Sequence, residues 1–193
     1  MAAAAGAVGL TAGWVLSSGG QPTAGAPAAA AIMRPTIAGD FELLDTAGKT
    51  VRWTDINGRW QLVFFGFTHC PEACPTTLAN ASRALTDPGL EAHDLRVLFI
   101  SVDPGRDTAE VIRKYVGTFG PRVTGLTGDP AGIASAAAAF GIFFEKMPAM
   151  EDGEYMVNHT ASLFLLGPTD EIYETIPYGA TAPEIADAVK RHL

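Results

Sequence analysis

The only two cysteines of this 193-residue chain, Cys70 and Cys74, stand four positions apart where a strand gives way to a helix. Before them runs Gln61-Leu62-Val63-Phe64-Phe65, an apolar, aromatic stretch that reads as a buried strand. After them a helical pattern begins at Pro75, a residue suited to the first turn. Such a junction carries unpaired backbone N–H groups and the positive end of the helix dipole. A thiolate is stabilised there, so the sequence predicts a lowered cysteine pKa and raised metal affinity. Side chains at i and i+4 on a helix share a face, with Cβ atoms about 5–6 Å apart. That spacing permits a disulfide, whose Cα atoms usually lie about 4.4–6.8 Å apart. It equally lets both sulfurs grip one soft metal: Cu(I), zinc or an iron–sulfur cluster. Zinc sites and clusters usually need four ligands, whereas Cu(I) is content with fewer. A purely structural staple fits the same two residues.

Downstream, strands alternate with helices. Phe41–Leu44 and Thr50–Trp53 flank an Asp…Gly turn and read as a hairpin; Asp55-Ile56-Asn57-Gly58 reads as a second turn. A helix is predicted from Pro75 to Thr86, a strand over Leu95–Val102, and a helix from Thr108 to Phe119 capped by Asp107, with Glu110 three residues on. A strand at Val123–Leu126, a helix from Pro130 to Phe140 and a strand at Gly141–Lys146 follow. A loop over Lys146–Val157 carries Met147, Met150 and Met156. His159 then precedes the strand Ser162–Leu166, the strand Glu171–Thr175 and a terminal helix opened by the capping box Thr181…Glu184. This pattern predicts a mostly parallel sheet covered by helices on both faces.

Residues 1–33 differ from the rest, with no charged side chain before Arg34. Their apolar run of about 15 residues suits a signal h-region better than a full span of about 20. Residues 1–18 are expected to be a signal or membrane anchor, 19–34 a flexible linker, and 35–193 the folded domain. A net charge of −8 argues against nucleic acid as a partner, since phosphate binding needs a basic face.

Thr68-His69-Cys70-Pro71-Glu72-Ala73-Cys74-Pro75-Thr76-Thr77 resembles the signature of the SCO/SenC family of copper-handling, thioredoxin-like proteins of cytochrome c oxidase assembly. Asp103-Pro104-Gly105-Arg106-Asp107-Thr108, Leu126-Thr127-Gly128 and Val157-Asn158-His159-Thr160 extend the likeness over about residues 35–193. Two positions depart from the family pattern: Glu72 and Asn158 stand where Asp is common, and Asn158 cannot supply a charge to orient His159. The resemblance implies a thioredoxin-like α/β fold with an added N-terminal β-hairpin. It also implies copper held by Cys70, Cys74 and His159 and passed to the dinuclear copper centre of the oxidase. A thiol reductant or an upstream copper donor would be further partners. The N-terminal segment would anchor the protein at the periplasmic face of the cell membrane.

Each side chain also has a plainer reading. A lone histidine is most often a surface or satisfied core residue, and His69, next to Cys70, is expected to face solvent. Asp103 is expected near the site and Asp107 to serve as an N-cap. The methionines pack a loop as readily as they bind metal. Three rival functions follow. A thiol–disulfide oxidoreductase would use the same cysteines, although thioredoxin-type catalysts place two residues between them and here there are three. A peroxiredoxin-like peroxidase would need an Arg at the reactive cysteine, and the sequence assigns none. The third is a simple disulfide module.

Overall fold

An Asp…Gly turn joins β1 (Glu42–Leu44) to β2 (Thr50–Arg52), which pair antiparallel as expected. Asp45 Oδ1 accepts from Ala47 N and Lys49 N at 2.8 and 2.9 Å, and Gly48 takes the left-handed φ of 78° that the turn needs. In the computed structural model, which describes residues 1–3, 34–37 and 39–193, the remaining elements follow in order. They are α1 (Trp53–Ile56), β3 (Gln61–Gly66), α2 (Ala73–Ala84), β4 (Arg96–Ser101), α3 (Ala109–Gly117), β5 (Val123–Leu126) and α4 (Pro130–Ala139). Then come β6 (Phe144–Lys146), β7 (Val157–His159), β8 (Leu163–Leu166), β9 (Ile172–Ile176) and α5 (Ala182–Lys190). The expected leader and linker fall, apart from residues 1–3 and 34, outside the described residues. Among the described residues no helix is long and apolar enough to cross a membrane.

The central sheet has the order β5-β4-β3-β8-β9. β3 pairs parallel with β4, and β4 with β5; β8 runs antiparallel to both β3 and β9. Four strands therefore share one direction and β8 alone opposes them, the expected thioredoxin-like arrangement. All six residues of β3 are buried, because its faces are covered on both sides. Phe64 meets Phe99 and the His159 ring on one face, while Phe65 meets Phe140 at the end of α4 on the other. The hairpin β1–β2 is tied to the sheet by paired backbone bonds between Leu44 and Thr127, at 2.6 and 2.9 Å. Phe41 and Trp53 beside it stack at 5.3 Å and join the same aromatic cluster around Phe140.

Three local expectations change. The strand expected at Gly141–Lys146 does not enter the central sheet; its last three residues pair antiparallel with β7 in a separate ladder. His159 consequently ends a short strand of its own as well as preceding β8, as expected. The segment 53–56, expected to run into a turn, is one turn of helix. The cap of α3 is Thr108, whose side chain accepts from Val111 N, so Asp107 is not the N-cap.

Polarity of the sheet decides where chemistry can occur. Phe64 lies opposite Leu163 in the antiparallel β3/β8 ladder, so the chain leaving β3 and the chain entering β8 meet at one edge. β4 runs parallel to β3 and delivers residues 102–108 to that same edge. Ligand sites of open α/β sheets gather at such carboxyl ends.

Close packing of α3 on β5 depends on Gly125, where an added Cβ would collide with Ile112 Cγ2 and reach Val116 Cγ1 at 2.9 Å. Overpacking of this kind costs about 1–3 kcal/mol. Gly125→Ala is therefore expected to lower the thermal midpoint by roughly 2–4 °C per kcal/mol lost. An unchanged midpoint in calorimetry would mean that α3 is not pressed against β5.

Candidate metal centre

Gly66 ends β3 and makes room for sulfur: a Cβ there would stand 2.9 Å from both Cys74 Sγ and the Phe99 ring. Residues 67–72 then turn into α2, with Cys74 in its first turn. Cys70 precedes the helix, so the two cysteines are not an i, i+4 pair on one helical face. Instead Cys70 Sγ accepts from the Cys74 backbone N–H at 3.4 Å, using one of the donors that a helix start leaves unpaired. Both thiols are free, Cys70 9% exposed and Cys74 0%.

His159 approaches from β7, with Nε2 3.8 Å from Cys74 Sγ. Its Nδ1 lies 3.0 Å from the Thr160 carbonyl oxygen. A carbonyl can only accept, so Nδ1 carries the proton and Nε2 turns its lone pair to the sulfur. The Phe64 and Phe67 rings meet the imidazole in T-shaped contacts at 6.2 and 5.8 Å. Burial lowers the His159 pKa from its ordinary value, against a smaller opposing effect of the Thr160 bond, so the ring is neutral at pH 7. A sulfur and an imidazole nitrogen sharing one ion, at about 2.3 and 2.0 Å and near 115°, sit about 3.6 Å apart. The observed pair, at 3.8 Å, is close to that spacing. Among the described residues no three His, Cys, Asp or Glu side chains already surround one point, so Cys70 would complete the set by closing onto the pair.

Burial pushes the Cys74 thiol far above the ordinary range, with Cys70 and Asp107 adding to the rise and a Phe67 backbone bond opposing it. This reverses the expected lowering. A helix terminus contributes about 0.3–1 kcal/mol, whereas full burial can move a pKa by up to about 3–5 units. Desolvation wins at Cys74.

Asp107, misread as a cap, has a larger role. Fully buried, it accepts from Thr68 N and Ser101 Oγ at 3.0 and 2.6 Å through Oδ2, and from Thr68 Oγ1 at 2.6 Å through Oδ1. It thereby pins the turn that carries Cys70. His69 is largely outward, as expected, with Nδ1 3.1 Å from Thr68 Oγ1. Asp103 is buried near the site and serves a second clamp. Its Oδ2 takes Arg106 Nε at 2.6 Å and its Oδ1 takes the Tyr155 hydroxyl at 2.8 Å. Arg106 reaches across to Glu154 at 3.1 Å and to the Tyr155 carbonyl at 2.9 Å, with its guanidinium 3.5 Å from the Tyr155 ring centre. Arg106 thus fastens the β6–β7 hairpin, and with it His159, to the loop after β4. A guanidinium so committed is not free to activate a cysteine, which weakens the peroxidase reading. Ser101 and Tyr155 carried no local sequence signal, and Thr68 and Arg106 stood inside the family-like stretches with no role assigned to them; Gly66, isolated at a strand end, was a further clue.

The SCO1/SenC family profile matches residues 29–193. The chain belongs to the SCO1/SenC family. Among relatives, it is 37% identical over 159 residues to the mitochondrial SCO2 homolog of Bos taurus, covering 80% of this chain and 59% of that protein. It is 36% identical over 164 residues to the mitochondrial SCO1 homolog of Homo sapiens, covering 84% and 54%. The chain thus spans less than two thirds of these relatives' length. Two similar solved SCO1/SenC structures are ScoI of Bradyrhizobium japonicum with copper bound (38% identity, TM-score 0.72, 81% of this chain and 99% of that one) and ScoI of Arabidopsis thaliana with copper bound (34%, 0.74, 80% and 96%).

Hydrogen bonds to charged groups contribute about 1.5–3 kcal/mol each. Arg106→Met keeps an unbranched apolar stem and removes the clamp, so amide exchange at Tyr155–His159 is expected to speed up at least about tenfold while β3 stays protected. Unchanged exchange at these amides would show that the guanidinium does not hold the hairpin.

Proposed function

We propose that this chain is a copper-binding assembly factor that holds one copper ion on Cys70, Cys74 and His159 and delivers it to the dinuclear copper centre of cytochrome c oxidase. The observation that carries this reading is the 3.8 Å approach of His159 Nε2 to Cys74 Sγ. Its support from relatives is that members 34% and 38% identical to this chain bind copper. Two thiolates and an imidazole suit Cu(I), and one added oxygen or nitrogen donor would adapt the set to Cu(II). An open three-ligand site also releases its cargo more readily than a closed four-ligand one.

In this reading the cysteine pair gates loading. Passing two electrons and two protons to a disulfide acceptor joins the sulfurs and removes two of three ligands; a thiol reductant reverses the step. Copper binding also displaces the proton that burial keeps on Cys74, whereas His159 is already neutral and gives up none. Affinity is therefore expected to rise between pH 6 and 8, about tenfold per pH unit for each proton released. A flat profile in competition titrations would contradict thiolate ligation. Residues 1–18 would direct export or anchor the chain, and 19–34 would serve as the linker. The domain at 35–193 would then stand at the periplasmic face of the membrane.

The test is anaerobic transfer from the copper-loaded full chain to the soluble copper-centre domain of the oxidase. The expected result is copper leaving the chain and appearing in the acceptor. His159→Ala should lower copper affinity by more than the roughly 10–100-fold lost when only a supporting group is removed. Reduction of the acceptor's cysteines by copper-free chain, without metal transfer, would make the protein a thiol–disulfide oxidoreductase instead.

A further inference from the structure

We propose that the outer face of the β6–β7 hairpin is a second soft-metal site, a thioether site for Cu(I) built from Met147 and Met156 with Met150 at the turn. It stands whether or not Cys70, Cys74 and His159 hold copper.

Register places the sulfurs. Lys146 lies opposite Val157 and Glu145 opposite Asn158. Met147 N donates to Met156 O at 2.9 Å, continuing the ladder. Side chains alternate along a strand. Met147 and Met156 therefore share the face of Glu145 and Asn158, opposite to the face that turns His159 toward Cys74. Asn158 Nδ2 donates to Met147 Sδ at 3.2 Å, which holds that thioether on the outer face and uses one of its two lone pairs. Cβ atoms directly across an antiparallel ladder are about 4.5–5.5 Å apart. Two side chains with three rotatable bonds each can meet on one ion from that distance.

Core packing does not account for Met150 and Met156, and Met147 is half-buried beside them. Met156 is 38% exposed and Met150 53%. Away from the chain ends the described residues leave only Phe143, Met150, Met156 and Tyr178 as exposed large apolar side chains. Three of those four lie on or beside this one hairpin. Exposed Glu145, Glu151 and Asp152 lie on the same hairpin as the sulfurs, and the nearby cations are already engaged, Arg106 with Glu154 among them. Lys146 Nζ lies 3.7 Å from the Tyr155 ring centre, and Arg106 is bound to Asp103 and Glu154. An acidic surround concentrates cations, and thioethers select the soft one, Cu(I), over zinc or Cu(II). Thioethers neither form disulfides nor titrate, so this site would keep its ligands when Cys70 and Cys74 are oxidised.

The experiment uses the full chain with 13C-methyl methionine and the Cys70→Ser/Cys74→Ser double substitution, titrated with Ag(I) and, anaerobically, with Cu(I). The chain has five methionines. The expected result is methyl shifts at Met147, Met156 and Met150 that saturate near one equivalent, with Met1 and Met33 unmoved and zinc without effect. Adding Met147→Leu and Met156→Leu, a volume-conserving change tolerated at under about 1.5 kcal/mol, should abolish the saturable binding. The wild-type chain with its cysteines oxidised should give the same shifts without any substitution. Shifts spread evenly over all five methyls, no shift below a large excess of metal, or binding undiminished by the leucine pair would overturn the proposal. Because the cysteines are absent or oxidised throughout, none of these outcomes bears on the cysteine–histidine site.

Discussion

Antiparallel pairing of β8 against β3 is the constraint on which the site depends. Strand β3 runs toward its cysteines, and β8 starts at the edge where β3 ends, with Phe64 opposite Leu163. Residues on the two connected segments must then meet within a few positions of that pair. Cys74 and His159, 85 residues apart in sequence, become neighbours for this reason. β4, parallel to β3, brings Asp103, Arg106 and Asp107 to the same edge. Each side of the sheet thus supplies one part: sulfur from the β3–α2 turn, imidazole from the segment before β8, and anchoring carboxylates from the loop after β4.

The two halves of the candidate site are held differently. The cysteine half is fixed by buried, continuous structure. Gly66 admits the Cys74 sulfur, and the Asp107 carboxylate grips Thr68 through both its backbone and its hydroxyl. The imidazole half sits on a two-stranded hairpin outside the main sheet, held by one arginine that spans Asp103, Glu154 and Tyr155. Isolated two-stranded ladders are marginal in water, so the histidine side is the part that can open with little disturbance of the core. In the proposed reading this asymmetry lets copper leave without unfolding the cysteine turn.

Much of the fold was legible because its signals are local. The unbroken apolar run at Gln61–Phe65 marks a buried central strand, and Thr181…Glu184 forms the capping box the sequence suggests. What escaped depended on distant partners. β6 and β7 are three residues each, too short for a periodic pattern. Their pairing is set by what Phe144 and His159 meet across the hairpin. Asp107 three residues before Glu110 imitates a capping box, yet its partners, Thr68 and Ser101, lie outside the helix. The cysteine motif correctly placed the two thiols side by side at the strand–helix junction. It misled about Cys74 because burial, invisible in the motif, outweighs the helix dipole.

X-ray absorption at the copper edge of the reduced, Cu(I)-loaded Met147→Leu/Met156→Leu chain tests the central claim most directly. The account predicts a first shell of two sulfurs and one imidazole nitrogen, with the nitrogen contribution lost in His159→Ala. A shell of sulfur alone, unchanged by removing His159, would contradict it.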